Sequence, residues 1–272
     1  MNIFKFLEPF TNENLLNSMG SRRESLSQFG KIGKNAVLAS VPFGLAALTS
    51  TRASAADIGP TPPTPIGALQ LALTLEYLEA KFYNMGLDSG VIPTGGRDEK
   101  VFMQIALHEN SHVAFLLAGL GANAVAEPMF DFTVGGAFDP FNMTGIGNEA
   151  AYAQFLALAQ AFEDAGVRAY KGQAVNLIST PDLLTAALRI HSVEARHASE
   201  VRRLRGLKGW ITLNQRGAGM PEATQPVYNG EELTVQAGYN TAALFGAEAG
   251  SESYDEPLTT AEAVAIANVF IV

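Results

Sequence analysis

The chain contains no cysteine. That excludes disulfides, iron–sulfur clusters, thiolate zinc sites and haem attachment through thioethers. Charge is sparse too, at 17% of residues, and acidic residues outnumber basic ones 27 to 18, for a net charge of −9. A nucleic-acid partner needs clustered Lys and Arg and is excluded by that balance. Long apolar runs are also missing. The uncharged stretch 35–51 holds Pro42 and Gly44 and is short for a membrane span. Histidine is the scarcest chemically useful residue, with four in 272 positions. Nearly half of the chain is nonetheless apolar, 47% of it, so a sizeable core is expected.

All four histidines fall in two stretches, His108-Glu109-Asn110-Ser111-His112 and His191-Ser192-Val193-Glu194-Ala195-Arg196-His197. Each contains Glu-x-x-His inside an apolar helical pattern. Residues three apart share a helix face, so Glu109 with His112, and Glu194 with His197, each project a carboxylate and an imidazole toward one point. Two further helical segments each offer one inward glutamate, Glu76 and Glu163, with Tyr83 and Tyr170 seven residues on, two turns along the same face. The sequence therefore reads as a repeated half, Glu with Tyr at +7 followed by Glu-x-x-His.

In chain order, residues 1–55 read as an export signal. Arg22-Arg23 precedes the uncharged stretch, and Ala53-Ser54-Ala55 offers a small-residue cleavage site. The pattern resembles a twin-arginine (Tat) signal, with Ser25 where a Phe is usual. It implies contact with the Tat export machinery and a periplasmic or cell-envelope location. An uncleaved anchor and a cytosolic arm are the alternatives. Residues 56–64 form a Pro-rich linker. A bundle of four helices is expected over 65–208. The first is capped by Thr64, opens at Pro65 and runs to about Met85. The second runs from about Asp98 to Ala118, the third from Asn148 to about Ile178. The fourth, capped by Thr180, runs from Pro181 to about Lys208. Residues 122–147 have no helical period and hold Phe130, Phe132, Phe138 and Phe141. Such a segment suits a long crossover running the length of the bundle and sealing it with its aromatics. Arg202, Arg203, Arg205 and Lys208 read as a solvated basic helix end. Residues 209–272 read as an irregular extension packed on the bundle, with a capping box at Thr259 and Glu262 opening a short helix over about 260–270.

Helix rise gives a check on the site. In each expected hairpin the two glutamates lie at similar distances from the turn, so Glu76 is level with Glu109, and Glu163 with Glu194. Glu79 is one turn off level and is assigned to the surroundings of the site or to the helix surface. His191 is open between the site's surroundings and a core or capping role. His108, about 100° around the helix from Glu109, is expected to point elsewhere. A rival reading takes His108-Glu109-x-x-His112 as the H-E-x-x-H helix of a zinc metalloprotease. That leaves the second Glu-x-x-His and both Glu/Tyr sets without a role.

The paired motif resembles the ferritin-like superfamily over about residues 64–208. The phrases Leu75-Glu76-Tyr77-Leu78-Glu79-Ala80 and Asp255-Glu256-Pro257-Leu258-Thr259 look like the secreted ferritin-like proteins grouped with plant desiccation-related proteins. The resemblance implies an all-α, ferritin-like four-helix bundle with one long crossover between helices two and three. It implies Glu76, Glu109, His112, Glu163, Glu194 and His197 as metal ligands, with Glu109 and Glu194 bridging and Tyr83 and Tyr170 behind them. It implies two iron ions, or two manganese ions, acting on O₂, peroxide or Fe²⁺ as ferroxidase, peroxidase, catalase or oxygenase, with stress protection as one role. A non-catalytic metal-binding or protective protein of the cell envelope is the alternative.

Overall fold

The computed structural model describes residues 58–272, and the expected export segment over residues 1–55 lies outside the described residues. Four long helices dominate: α1 (Pro65–Ser89), α2 (Arg97–Leu120), α3 (Asn148–Leu177) and α4 (Pro181–Leu204). The extension adds a 3₁₀ turn (Glu222–Val227), a short hairpin of β1 (Val235–Gln236) and β2 (Tyr239–Asn240), then α5 (Ala242–Ser251) and α6 (Thr260–Asn268). Among the described residues, no helix is long and apolar enough to cross a membrane.

The helix ends follow local chemistry. Thr64 accepts a hydrogen bond from the Gly67 amide, with Pro65 at the first helical position, and Gly90 closes α1 at a φ of 74°. α1 thus continues four residues past Met85, its interior Gly86 lying bare against Phe155: a Cβ there would come within 2.2 Å of the Phe155 ring. Thr180 occupies the cap position of α4, but its hydroxyl donates back to the Leu177 carbonyl and does not cap the new helix. The Thr259–Glu262 capping box forms in full at α6. α5 has no counterpart in the sequence reading. Gly246, at a φ of 86°, breaks its helical turn and with it the apolar period.

Cross-helix contacts fix the directions. Glu76 and Asn84 on α1 meet His112 and Asn110 on α2, so this pair is antiparallel. Gly86 meets Phe155, and Glu79 lies beside Gly166, so α1 and α3 are antiparallel too. α2 and α3 therefore run parallel, and residues 121–147 must cross from one end of the bundle to the other. Phe132 and Phe141 of this crossover are buried against Phe82, at ring distances of 5.2 and 5.5 Å. Phe130 sits opposite Ile271 in an antiparallel bridge that ties the crossover to the chain's last residues.

α3 is the central element. Every residue from Phe155 to Tyr170 on it is buried. One face looks into the bundle. The other carries Ala157, Ala161, Ala165 and Ala169 four apart, and on this small-residue ridge pack Ile211, Val227, Leu258, Val264 and Ile266 of the extension. Gly172 lets the extension's backbone in, since a Cβ there would fall 1.8 Å from the Leu258 carbonyl oxygen. Polar anchors flank the ridge. Buried Arg168 pairs with Glu231 at 2.7 Å and donates to the Glu256, Val227 and Asn229 carbonyls.

Two of the residues read as a solvated basic end are also anchors. Arg202, 4% exposed, holds Asp164 with two hydrogen bonds of 3.0 and 2.5 Å, and Arg205 donates to Gln160 and to the Ala218 carbonyl. The extension covers them, and its partners lie far away in sequence. Asp164 also accepts from the Tyr228 hydroxyl at 2.9 Å. Asp164→Ala is therefore expected to strand a buried guanidinium and to cost about 3–5 kcal/mol. Urea unfolding measures it, and a loss below about 1 kcal/mol contradicts the assignment.

Candidate metal centre

Four antiparallel or parallel helices at one level bring six acidic and imidazole side chains together. Glu76, Glu109, Glu163 and Glu194 are each 0% exposed. His112 Nδ1 lies 2.9 Å from Glu109 Oε2, 3.1 Å from Glu76 Oε2 and 3.2 Å from Glu194 Oε1. His197 Nδ1 lies 2.8 Å from Glu109 Oε1, 3.3 Å from Glu163 Oε2 and 3.9 Å from Glu194 Oε2. Two groups of four result. One is Glu76, Glu109, His112 and Glu194; the other is Glu109, Glu163, Glu194 and His197; within each the candidate ligand atoms lie within 4.8 Å of one another. Glu109 and Glu194 belong to both groups, each with one oxygen toward either histidine.

The donor atoms aim at common points between them. Glu109 Oε1, Glu163 Oε2, both Glu194 oxygens and His197 Nδ1 are buried and make no hydrogen bond, although His197 Nδ1 and Glu109 Oε1 are 2.8 Å apart. Buried polar atoms without partners are rare and costly. Lone pairs converging on a cation would account for them. The buried acidic and histidine cluster could hold a metal, and carboxylate with imidazole is a fitting donor set.

The tyrosines cross between the halves. Tyr83 of α1 donates to Glu163 Oε1 of α3 at 2.5 Å, and Tyr170 of α3 donates to Glu76 Oε1 of α1 at 2.5 Å. Each terminal glutamate thus has one oxygen held by a phenol and the other left for the site. The +7 spacing shows that a tyrosine shares its helix face with a glutamate, but the acceptor depends on the antiparallel pairing of α1 with α3.

The structure decides an open alternative at Glu79 and departs from the sequence reading at His108. Glu79 is 2% exposed, which removes the helix-surface alternative. Its carboxylate reaches the bare backbone of Gly166, where a Cβ would lie 3.1 Å from Glu79 Oε1 and 3.4 Å from Glu194 Oε2. It belongs to neither four-residue group. His108 does not point away: its Nδ1 lies 2.8 Å from His197 Nε2, and its Nε2 lies 2.7 Å from Gln104 Nε2. With both ring nitrogens engaged there, His108 is no partner for His112 in an H-E-x-x-H zinc site. His191 sits on the α3–α4 contact, with Nδ1 3.0 Å from the Val167 carbonyl.

Burial sets the electrostatics. It pushes the Glu76 carboxyl up to about 7 against the pull of His112, and holds Glu194 and Glu79 well above the carboxylate range. Burial opposes the Glu109 charge too, but contacts with His112 and His197 overcome it and keep Glu109 well below its ordinary value. Both histidines are held charged against burial, His112 chiefly by Glu76 and His197 chiefly by Glu163. Without a cation the cluster is neutralised by protons.

A ferritin-like domain family matches residues 64–207, more than half of the chain, and the chain belongs to that family. Comparison with curated proteins and with solved structures gave no match.

The metal-free protein has a pH dependence of defined sign. Glu76, ordinarily 4.5 and about 7 when folded, contributes stability that is complete below 4.5 and is lost as pH rises through about 7. His112 and His197, ordinarily 6.5 and raised on folding, act in the same direction above 6.5. Glu109 has the opposite sign but acts only below its ordinary 4.5. The Tm of the chelator-treated protein is expected to fall from about pH 5.5 to about pH 8, and added metal, which displaces the protons, to flatten the fall. Calorimetry with and without metal measures both. A metal-free Tm that rises over this range contradicts the buried cluster.

Proposed function

We propose that the bundle holds two first-row metal ions, iron or manganese, and uses them for redox chemistry on O₂, peroxide or Fe²⁺. The observation that carries this reading is the pair of four-residue groups sharing Glu109 and Glu194. The Glu76/His112 group and the Glu163/His197 group would each offer one ion an imidazole, a carboxylate of its own and the carboxylates of Glu109 and Glu194. Hard oxygen donors with imidazole suit iron or manganese, and the absence of cysteine removes the thiolates of structural zinc sites. Two such ions side by side supply two-electron exchange with an oxygen species, which no side chain can do.

The chain's own contributions are positional. Tyr83 and Tyr170 fix the terminal carboxylates by their hydroxyls. The aromatic cluster of Phe82, Phe102, Phe155 and Phe162 excludes water on the α1–α3 side. His112, at 12%, is the most exposed of the six side chains.

Elemental analysis of protein loaded anaerobically with Fe²⁺ or Mn²⁺ is expected to give two ions per chain. Loaded protein is expected to consume H₂O₂, or Fe²⁺ with O₂, and Glu109→Ala to lower the rate at least about 100-fold, since a shared ligand serves both ions. Two tightly held ions with no consumption of either reagent would instead favour a protective or metal-holding role in the cell envelope. A single zinc per chain would contradict the dinuclear reading.

We further propose export by the twin-arginine route, motivated by Arg22-Arg23 and Ala53-Ser54-Ala55. That route carries folded proteins and would allow the metal to be loaded before export, away from competing ions of higher intrinsic affinity. Mass spectrometry of the native protein is expected to find its N-terminus near Ala56. An intact Met1 on protein from the cytosolic fraction overturns this.

A further inference from the structure

α2 and α4 touch along a thin seam. Besides the contacts within the glutamate–histidine cluster, two side-chain contacts are seen across it among the described residues: Arg97 to Glu200 at 2.5 Å near one end, and His108 to His197 beside the cluster. The second joins the site to its surroundings. His197 turns Nδ1 into the cluster and Nε2 toward His108 Nδ1, with the ring planes 14° from parallel. His108 Nε2 in turn meets the amide of exposed Gln104.

The chemistry gives this chain one polarity. For His197 to donate its Nδ1 lone pair to a cation, its proton must sit on Nε2. That proton then has one acceptor in reach, His108 Nδ1. His108 must carry its own proton on Nε2 and donate it to Gln104, whose amide can present oxygen as readily as nitrogen. Every member is then satisfied, and the His197 ring is locked in rotation and tautomer.

The repeated half makes the comparison. His108 immediately precedes Glu109, and the residue that immediately precedes Glu194 is Val193. An isopropyl group neither donates nor accepts, so the mirrored position offers His112 no such support. Resting on the dinuclear reading above, we infer that His108 is a positioning residue for His197, and that it makes the Glu163/His197 half of the centre the tighter of two unequal metal positions. Partners behind a ligating histidine raise its basicity and fix its aim, and their loss costs about 10- to 100-fold in metal affinity.

Stepwise titration with Co²⁺, followed by calorimetry and visible absorption, tests the inference. The wild-type protein is expected to bind two ions in unequal steps. His108→Ala should weaken the tighter step by about 10- to 100-fold and leave the weaker one in place. His108→Asn, whose side-chain oxygen falls near the former Nδ1, should restore most of the loss. A merely structural role for His108 would not give recovery confined to one step. In metal-free protein, NMR should show a slowly exchanging His197 Nε2 proton in the wild type and in His108→Asn, absent from His108→Ala. Unchanged Co²⁺ steps in His108→Ala, or an equal shift of both, overturn the inference while two-ion binding stands. Wild-type protein that binds fewer than two Co²⁺ ions overturns the dinuclear reading. The His197 proton then decides the contact alone: persistence in His108→Ala rejects it, and loss with recovery in His108→Asn upholds it.

Discussion

Five glutamate carboxylates, Glu76, Glu79, Glu109, Glu163 and Glu194, are buried at the centre of one bundle, and the rest of the structure answers to that. Removing one ion from water costs several kcal/mol even after relaxation. A whole domain is stable by only about 5–15 kcal/mol. Five uncompensated anions would exceed that margin, so the cluster persists only with protons or cations among the oxygens. The two histidines supply part of the charge, and the tyrosines stabilise the outward oxygens of Glu76 and Glu163. The unpartnered inward atoms of Glu109, Glu163, Glu194 and His197 mark what remains to be compensated.

A site under such repulsion must be held by stiff elements, and the crossed tyrosines contribute to this. α1 and α3 are the outer wall for one glutamate each, and each lends its tyrosine to the other's glutamate. The two halves are therefore braced through these glutamates as well as through packing. A slip of α1 along α3 by one turn, about 5.4 Å, would break both hydrogen bonds together.

That these glutamates and histidines gather at one level was legible because helical periodicity is local and the four histidines are confined to two motifs. What escaped depends on neighbours distant in sequence. His108 was set aside on its 100° offset from Glu109, a rule that treats a side chain as a radial spoke. The imidazole instead folds back across the α2–α4 seam to His197. Glu79 could be core or surface by period alone, and Gly166 opposite it, with no side chain of its own, decides for the core. Arg202 and Arg205 looked like a charged helix end, because Asp164 and Gln160 lie about 40 residues earlier and the covering chain comes later.

The extension also left a sign in the sequence. An outer helix of a four-helix bundle normally turns a polar face to water. α3 instead carries alanine at 157, 161, 165 and 169, and glycine at 172. Small residues four apart form a flat ridge that gains little by facing water but allows another chain segment to approach the helix backbone. The ridge therefore implies a covering segment, and residues from Ile211 to Ile271 provide it. Buried Arg168 and Asp164 on the same helix belong to that arrangement, since ionised groups are tolerated inside only when paired. α3 is thus covered on both faces, by the helices that carry the glutamate cluster on one and by the extension on the other. Glu163 and Tyr170 are set on the least exposed helix of the molecule, where lateral movement is opposed from both sides.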